Sequence, residues 1–263
     1  MRGKNTRRPL WAAFLAAFLA AGLVQPAGLG AEAAKSPFSG SLGLGMLTKP
    51  EFEGSDRYVV RALPVASFQY GPAFLSVTQG LGVYLPVAPG WIVSPALRYR
   101  GARKEKHSEL LSGLGTVKDG VEAGGSLRWQ PGPAGLNLKV FQGLGRVKGL
   151  TAELEASYGA ILTQALKGSV SLSAMFADRD YNHDYFGVTP AQSGKSGYRV
   201  YEPGAGLKHA ALTTSLGYAL TEHLELGLMA QYKRLTGPAA DSPLVERGSA
   251  DQFLSALTVG FNF

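Results

Sequence analysis

Phe253-Leu254-Ser255-Ala256-Leu257-Thr258-Val259-Gly260-Phe261-Asn262-Phe263 alternates with a period of two. Phe253, Leu257, Val259, Phe261 and Phe263 fall on one side, with Ser255 the polar exception, and Leu254, Ala256, Thr258, Gly260 and Asn262 fall on the other. Successive side chains of a strand point to opposite faces, so the segment makes one apolar face and one small or polar face. A sheet lying between hydrocarbon and water calls for that division. A chain finishing on such a strand, with a terminal Phe, reads as an outer-membrane β-barrel.

Working outward, the alternation recurs, and recurrence matters because a single transmembrane strand is a weak signal. Leu224, Leu226, Leu228, Ala230 and Tyr232 oppose Glu225, Gly227, Met229, Gln231 and Lys233. Leu212, Leu216, Tyr218 and Leu220 repeat the pattern, as do Val170, Leu172, Ala174 and Phe176, then Ala152, Leu154, Ala156 and Tyr158, and Val121, Ala123, Leu127 and Trp129. A soluble sandwich would turn these apolar faces inward, and the pattern alone does not choose between the two. The N-terminus does. Arg2, Lys4, Arg7 and Arg8 precede an apolar run from Leu10 to Val24, the charged-then-apolar order of a secretory signal peptide. The run falls short of the ~20 residues a spanning helix needs. Ala31-Glu32-Ala33 supplies small residues for cleavage after Ala33, so 1–33 reads as leader and 34–263 as one barrel domain.

Of 26 Lys and Arg and 19 Asp and Glu, the leader holds four basic residues and one acidic, leaving 22 against 18. The remaining cations are scattered rather than striped, which argues against nucleic acid. With no cysteine in an exported chain, stability must come from burial and a closed hydrogen-bond network. Many of the 35 glycines sit inside strand patterns, as in Leu42-Gly43-Leu44-Gly45, where they let strands crowd around a narrow lumen.

Strands are expected near 37–47, 58–70, 73–85, 91–100, 120–130, 135–143, 151–162, 169–178, 198–220, 223–234 and 252–263. The segment 198–220 is too long for one strand. Splitting it around Lys208 gives twelve, an even number as bacterial barrels require, with ten as the alternative. The expected fold is therefore all-β, a transmembrane antiparallel up-and-down barrel of about 12 strands. Pro131-Gly132-Pro133, Thr221-Glu222 and 164–167 read as tight turns, whereas 48–57, 101–119, 179–197 and 235–251 are long connections suited to recognition.

The search for chemistry returns little. Gly194-Lys195-Ser196 lacks the glycine a phosphate loop needs five positions earlier, where Thr189 stands. Asp178, Asp180, Asn182 and Asp184 alternate as in a calcium loop, but His183 and Thr189 occupy its required glycine and glutamate positions. His107, His183, His209 and His223 have no i,i+4 partner for zinc. No catalytic residue, cofactor or metal is assigned. The lumen-side charges Glu122, Arg128, Lys139, Glu153, Glu155, Glu225 and Lys233 have mixed signs, which favours internal ion pairs over a selective pore.

Four tracts carry a resemblance: Lys49 to Ser55, Ser112 to Gly115, Asp178 to Tyr181 with Tyr185-Phe186-Gly187-Val188-Thr189, and Lys233-Arg234-Leu235 with Ala239-Ala240-Asp241-Ser242-Pro243. In order and across nearly the whole mature chain, they resemble the MipA/OmpV family of outer-membrane MltA-interacting proteins. Phe52 departs from that pattern, standing where the family carries Tyr. The resemblance implies a non-enzymatic outer-membrane protein that scaffolds murein (peptidoglycan) synthesis and remodelling, joining a murein transglycosylase to a penicillin-binding synthase. Other members are treated as general outer-membrane proteins or adhesins, and a small solute or drug-entry channel is the second expectation. Asp178, Asp180, Tyr181, Asp184, Tyr185 and Phe186 are the candidate partner or ligand contacts. The alternative is that Tyr181, Tyr185 and Phe186 pin a loop across the barrel mouth.

Overall fold

The computed structural model describes residues 38–263, so the leader and its cleavage site lie outside the described residues. One antiparallel sheet closes on itself. Its strands are β1 (Phe38–Pro50), β2 (Tyr58–Tyr70), β3 (Ala73–Ser76), β4 (Gly80–Val83 and Leu85–Ala88, interrupted at Tyr84), β5 (Trp91–Arg100) and β6 (Gly120–Trp129). They continue as β7 (Ala134–Gly143), β8 (Leu150–Ile161), β9 (Leu166–Ala177), β10 (Gly206–Ala219), β11 (Leu224–Leu235) and β12 (Asp251–Asn262). Each pairs with its neighbours in sequence, and β12 returns to β1 with Ser41 opposite Asn262 and Thr48 opposite Ser255. Closure satisfies the backbone internally, as hydrocarbon demands.

Twelve strands is the number the sequence gives, but by a different division. The segment around Lys208 does not split: residues 198–205 are connection and Gly206–Ala219 is one strand. Leu207-Lys208-His209 offers no turn residue, so the strand continues through it, with a bulge at Lys208 that leaves Lys208 and His209 both buried. The twelfth strand comes from 73–85, which folds back at Val77-Thr78-Gln79. Ser76 Oγ accepts from the Gln79 amide at 2.9 Å, and Gly80 takes the left-handed φ of 82° that reverses the chain.

The apolar faces point outward. Leu44, Leu154, Leu172, Leu228 and Leu257 are all exposed on the protein surface, Leu44 by 72%, and lipid is the solvent that makes this favourable. Aromatic side chains gather at two depths: Tyr58, Tyr99, Tyr232 and Phe253 at one end of the strands, and Phe38, Phe68, Phe263, Trp91 and Trp129 at the other. Such girdles fix the barrel at the headgroup levels. Inward, Gly43 packs so closely that an added Cβ would lie 2.2 Å from the Val259 carbonyl oxygen.

The connections 71–72, 89–90, 130–133, 162–165 and 220–223 are tight and lie at one end; 51–57, 101–119, 144–149, 178–205 and 236–250 lie at the other. Outer-membrane barrels keep short turns on the periplasmic side and long loops outside, which orients the molecule. The long connections carry α1 (Arg179–Phe186), α2 (Pro190–Ser196), α3 (Gly237–Ala240) and α4 (Pro243–Glu246). The buried core lies among them. Phe52, Leu111, Leu114, Val188, Tyr198 and Leu244 form one cluster, and Ala177, Tyr181, Phe186, Leu235, Ala239 and Val245 a second. Together they cap the external mouth.

Candidate functional site: the capped external mouth

The cap starts from α1. Asp178 accepts from the Tyr181 amide at 2.9 Å as N-cap, satisfying a donor the helix leaves free. The helix scatters the alternating Asp178, Asp180, Asn182 and Asp184 around its axis, where a calcium loop would converge them. Asn182 turns inward and donates to the carbonyls of Ala177 (3.3 Å) and Gly204 (2.8 Å). Phe186 is fully buried, and its carbonyl accepts from Ser242 Oγ at 2.7 Å, which ties α1 to α4. α2 begins with a capping box between Thr189 and Gln192, and Gln192 also donates to the Leu114 carbonyl, joining α2 to the 101–119 segment. Arg103, buried in that segment, donates to the Tyr185 carbonyl. Burial pulls its guanidinium down to about 10, so it stays charged at neutral pH.

Beneath the cap sits an ion network. Glu53, from the β1–β2 connection, accepts from Lys208 Nζ at 3.0 Å and Lys233 Nζ at 2.9 Å, with His209 Nδ1 at 4.0 Å. Burial raises the Glu53 carboxyl, but Lys208, Lys233 and His209 outweigh it and hold the group well below the usual carboxylate range. Lys208 also donates to the Tyr181 hydroxyl at 3.2 Å. Tyr181 stacks on Tyr185 at 4.7 Å between ring centres, and the Arg100 guanidinium lies 4.6 Å over the Tyr181 ring. Burial pushes both phenols up, so they remain protonated hydrogen-bonding walls.

Deeper, Glu122 takes Arg98 at 2.6 Å together with Arg100, and Lys139 bridges Glu153 (3.4 Å) and Glu155 (3.1 Å). Most of the lumen charges thus pair internally. Arg128 and Glu225 have no ion-pair partner among the described residues. A cavity of about 190 Å³ remains on the periplasmic side of this network, lined by Arg98, Arg128, Gln130, Asn137, Lys139 and Glu155 among others.

Of the six candidate contacts, Tyr181 and Phe186 are buried in the cap, Tyr185 and Asp184 are half-buried, Asp178 caps α1 and Asp180 is exposed. The sequence reading did not nominate Glu53, Lys208, Arg98 or Arg100. Glu53 lies within a quoted tract, but its two lysines stand 155 and 180 residues away, beyond the reach of any local pattern.

The model of the MltA-interacting protein MipA family matches residues 42–263. The chain belongs to the MipA family. This MipA-family barrel is also similar to "Putative outer membrane protein YiaT" of Escherichia coli (strain K12), 26% identical over 92 residues, or 35% of this chain and 37% of that protein. The match therefore spans well under half the length of that curated relative. Among solved structures, the NanC porin aligns with a TM-score of 0.47 and 10% identity over 84% of this chain and 98% of its own. The KdgM porin aligns with a TM-score of 0.42 and 9% identity over 85% and 99%.

Proposed function

We propose that this outer-membrane barrel is a non-enzymatic scaffold or adaptor for enzymes that build and trim murein, with a murein transglycosylase and a penicillin-binding synthase as partners. The observation that carries the reading is the match to the MltA-interacting family over residues 42–263. The closed mouth supports it: the acids Glu53, Glu122, Glu153 and Glu155 are each held by Lys or Arg, an arrangement that fixes conformation. On this reading the partner meets the end formed by the tight turns at 71–72, 89–90, 130–133, 162–165 and 220–223, which faces the murein. The test is recovery of partners from an envelope extract on the tagged full chain. Enrichment of a murein transglycosylase and a synthase over an unrelated barrel is expected; equal recovery on both would sink the reading.

One observation favours a second reading, surface recognition of the adhesin type: every long connection gathers at the outer end. Asp180 and Asp184 would make the contact there, with Asp178 capping α1 and Tyr181, Tyr185 and Phe186 holding it in place. Loss of binding to a cell-surface ligand on Asp180→Ala, with partner recovery from envelope extract unchanged, would separate this role from the first.

A further inference from the structure

Among the described residues Arg128 has no ion-pair partner, and the cavity it lines serves neither role above. The strand register fixes its neighbours. Arg128 of β6 stands opposite Asn137 of β7, and Asn137 opposite Glu155 of β8. One rung toward the cap, Ser94, Ser126, Lys139 and Glu153 stand side by side on β5 to β8. Side chains directly opposite on one face have Cβ atoms about 5 Å apart, so the two rows make one continuous polar wall.

That wall has hydrogen-bonding capacity the fold leaves unused. Arg128 Nη1, Gln130 Nε2 and Asn137 Oδ1 are buried and make no hydrogen bond among the described residues. Gln130 is 7% exposed; its backbone amide donates to the Gly90 carbonyl at 2.8 Å, and its side chain lines the cavity. Buried donors and acceptors left unpaired are costly, so a molecule carrying the complementary groups is favoured there.

Charge and volume narrow the choice. Arg98 and Arg100 share Glu122, and Lys139 is shared by Glu153 and Glu155. With Arg128 added, four cations meet three carboxylates, and the one positive charge left over calls for one negative charge. A guanidinium presents a planar fork that a carboxylate matches bidentately. A phosphate dianion would overshoot that charge beside Glu155. The volume of about 190 Å³ falls below the ~300 Å³ at which drug-sized pockets begin, which limits the ligand to about one ring. Phe74 supplies an apolar wall, backed by Tyr84 stacked at 4.4 Å, whereas the Phe141 ring is already covered by Arg98 at 3.8 Å.

We propose that this cavity binds a small hydroxylated monocarboxylate the size of one sugar ring, entering from the periplasm because the cap closes the other end. Its carboxylate accepts from Arg128 and Gln130 Nε2, one hydroxyl donates to Asn137 Oδ1, others meet Ser94 and Ser126, and its ring lies on Phe74. An apolar cavity would take a hydrocarbon, and an arginine on an open surface would take any anion. Arg128 set within rows of neutral hydrogen-bonding groups selects the hydroxylated acid.

The test is isothermal titration of the full chain in detergent micelles with glucuronate, glucose and glucose 6-phosphate, which share a ring and differ in charge. Glucuronate is expected to bind, and glucose and glucose 6-phosphate to bind at least about tenfold more weakly. Arg128→Gln is expected to weaken glucuronate at least about tenfold, while Glu109→Gln, in the outer 101–119 segment, leaves its affinity unchanged. No heat with glucuronate, equal binding of glucuronate and glucose, equal or tighter binding of glucose 6-phosphate, or an Arg128→Gln variant that binds as the parent does would each overturn the proposal. The comparison of ligands needs only the parent protein, so it decides even where Arg128→Gln fails to fold.

Discussion

Glu53 brings one negative charge against two ammonium groups, Lys208 with 4% of its side chain exposed and Lys233 with 16%. Removing the carboxylate leaves both cations shielded from water with no counter-charge, a change that costs about 3 kcal/mol in such settings. Glu53→Gln is accordingly expected to lower the unfolding midpoint in micelles, whereas Glu109→Gln, from the exposed pair with Arg57, shifts it by less than about 1 kcal/mol. The acid dependence follows from the direction of the Glu53 shift. Its folded pKa lies below the ordinary 4.5, so its contribution is fully present above that value and is lost as pH falls toward the folded pKa. The stability gap between parent and Glu53→Gln should hold from pH 7 to pH 5 and narrow in more acidic titrations of unfolding. At this scale the sequence was informative about residue type and silent about partners. The alternation put Lys233 and Glu122 on the lumen side, but Arg98 and Arg100, which neutralise Glu122, carry no signature apart from lying on a strand.

Among the elements, the cap depends on two local devices. Asp178 caps α1, and Asp178→Ala is expected to cost about 1 kcal/mol, read in the same unfolding experiment. Gly113 lets the 101–119 segment lie against α2: its φ is +80°, and an added Cβ would sit 2.7 Å from the Lys195 carbonyl carbon. Gly113→Val should push that segment off α2 and expose it, seen as faster tryptic cleavage after Lys104 and Lys106 with the barrel intact. Strand positions were largely legible because a period of two is written into each strand. The division at 73–85 was not, since Thr78-Gln79-Gly80 resembles a continuing strand until the Ser76 hydroxyl captures the Gln79 amide. The apparent break at Lys208 misled for the opposite reason: a long segment suggested two strands, while its first residues belong to the connection carrying Tyr198 and Tyr201 into the cap.

For the molecule as a whole, the two apolar clusters and the Glu53 network close the outer mouth, and planar-bilayer recording of the parent protein should show no reproducible conductance steps. Glu53→Ala combined with Tyr181→Ala removes the link between cap and lumen, and this pair is expected to yield steps where the parent gives none. Sequence alone divided each strand into an apolar and a polar face, because which face a side chain occupies is decided by its parity within a strand. It also located the long connections and supplied the family tracts. Tertiary structure decided which segment supplies the twelfth strand and which charges neutralise one another. Those outcomes depend on how far each neighbouring strand extends and on which side chains the register sets side by side, from Arg98 and Glu122, 24 positions apart, to Glu53 and its lysines, 155 and 180 apart, and no periodicity within one strand records such a partner.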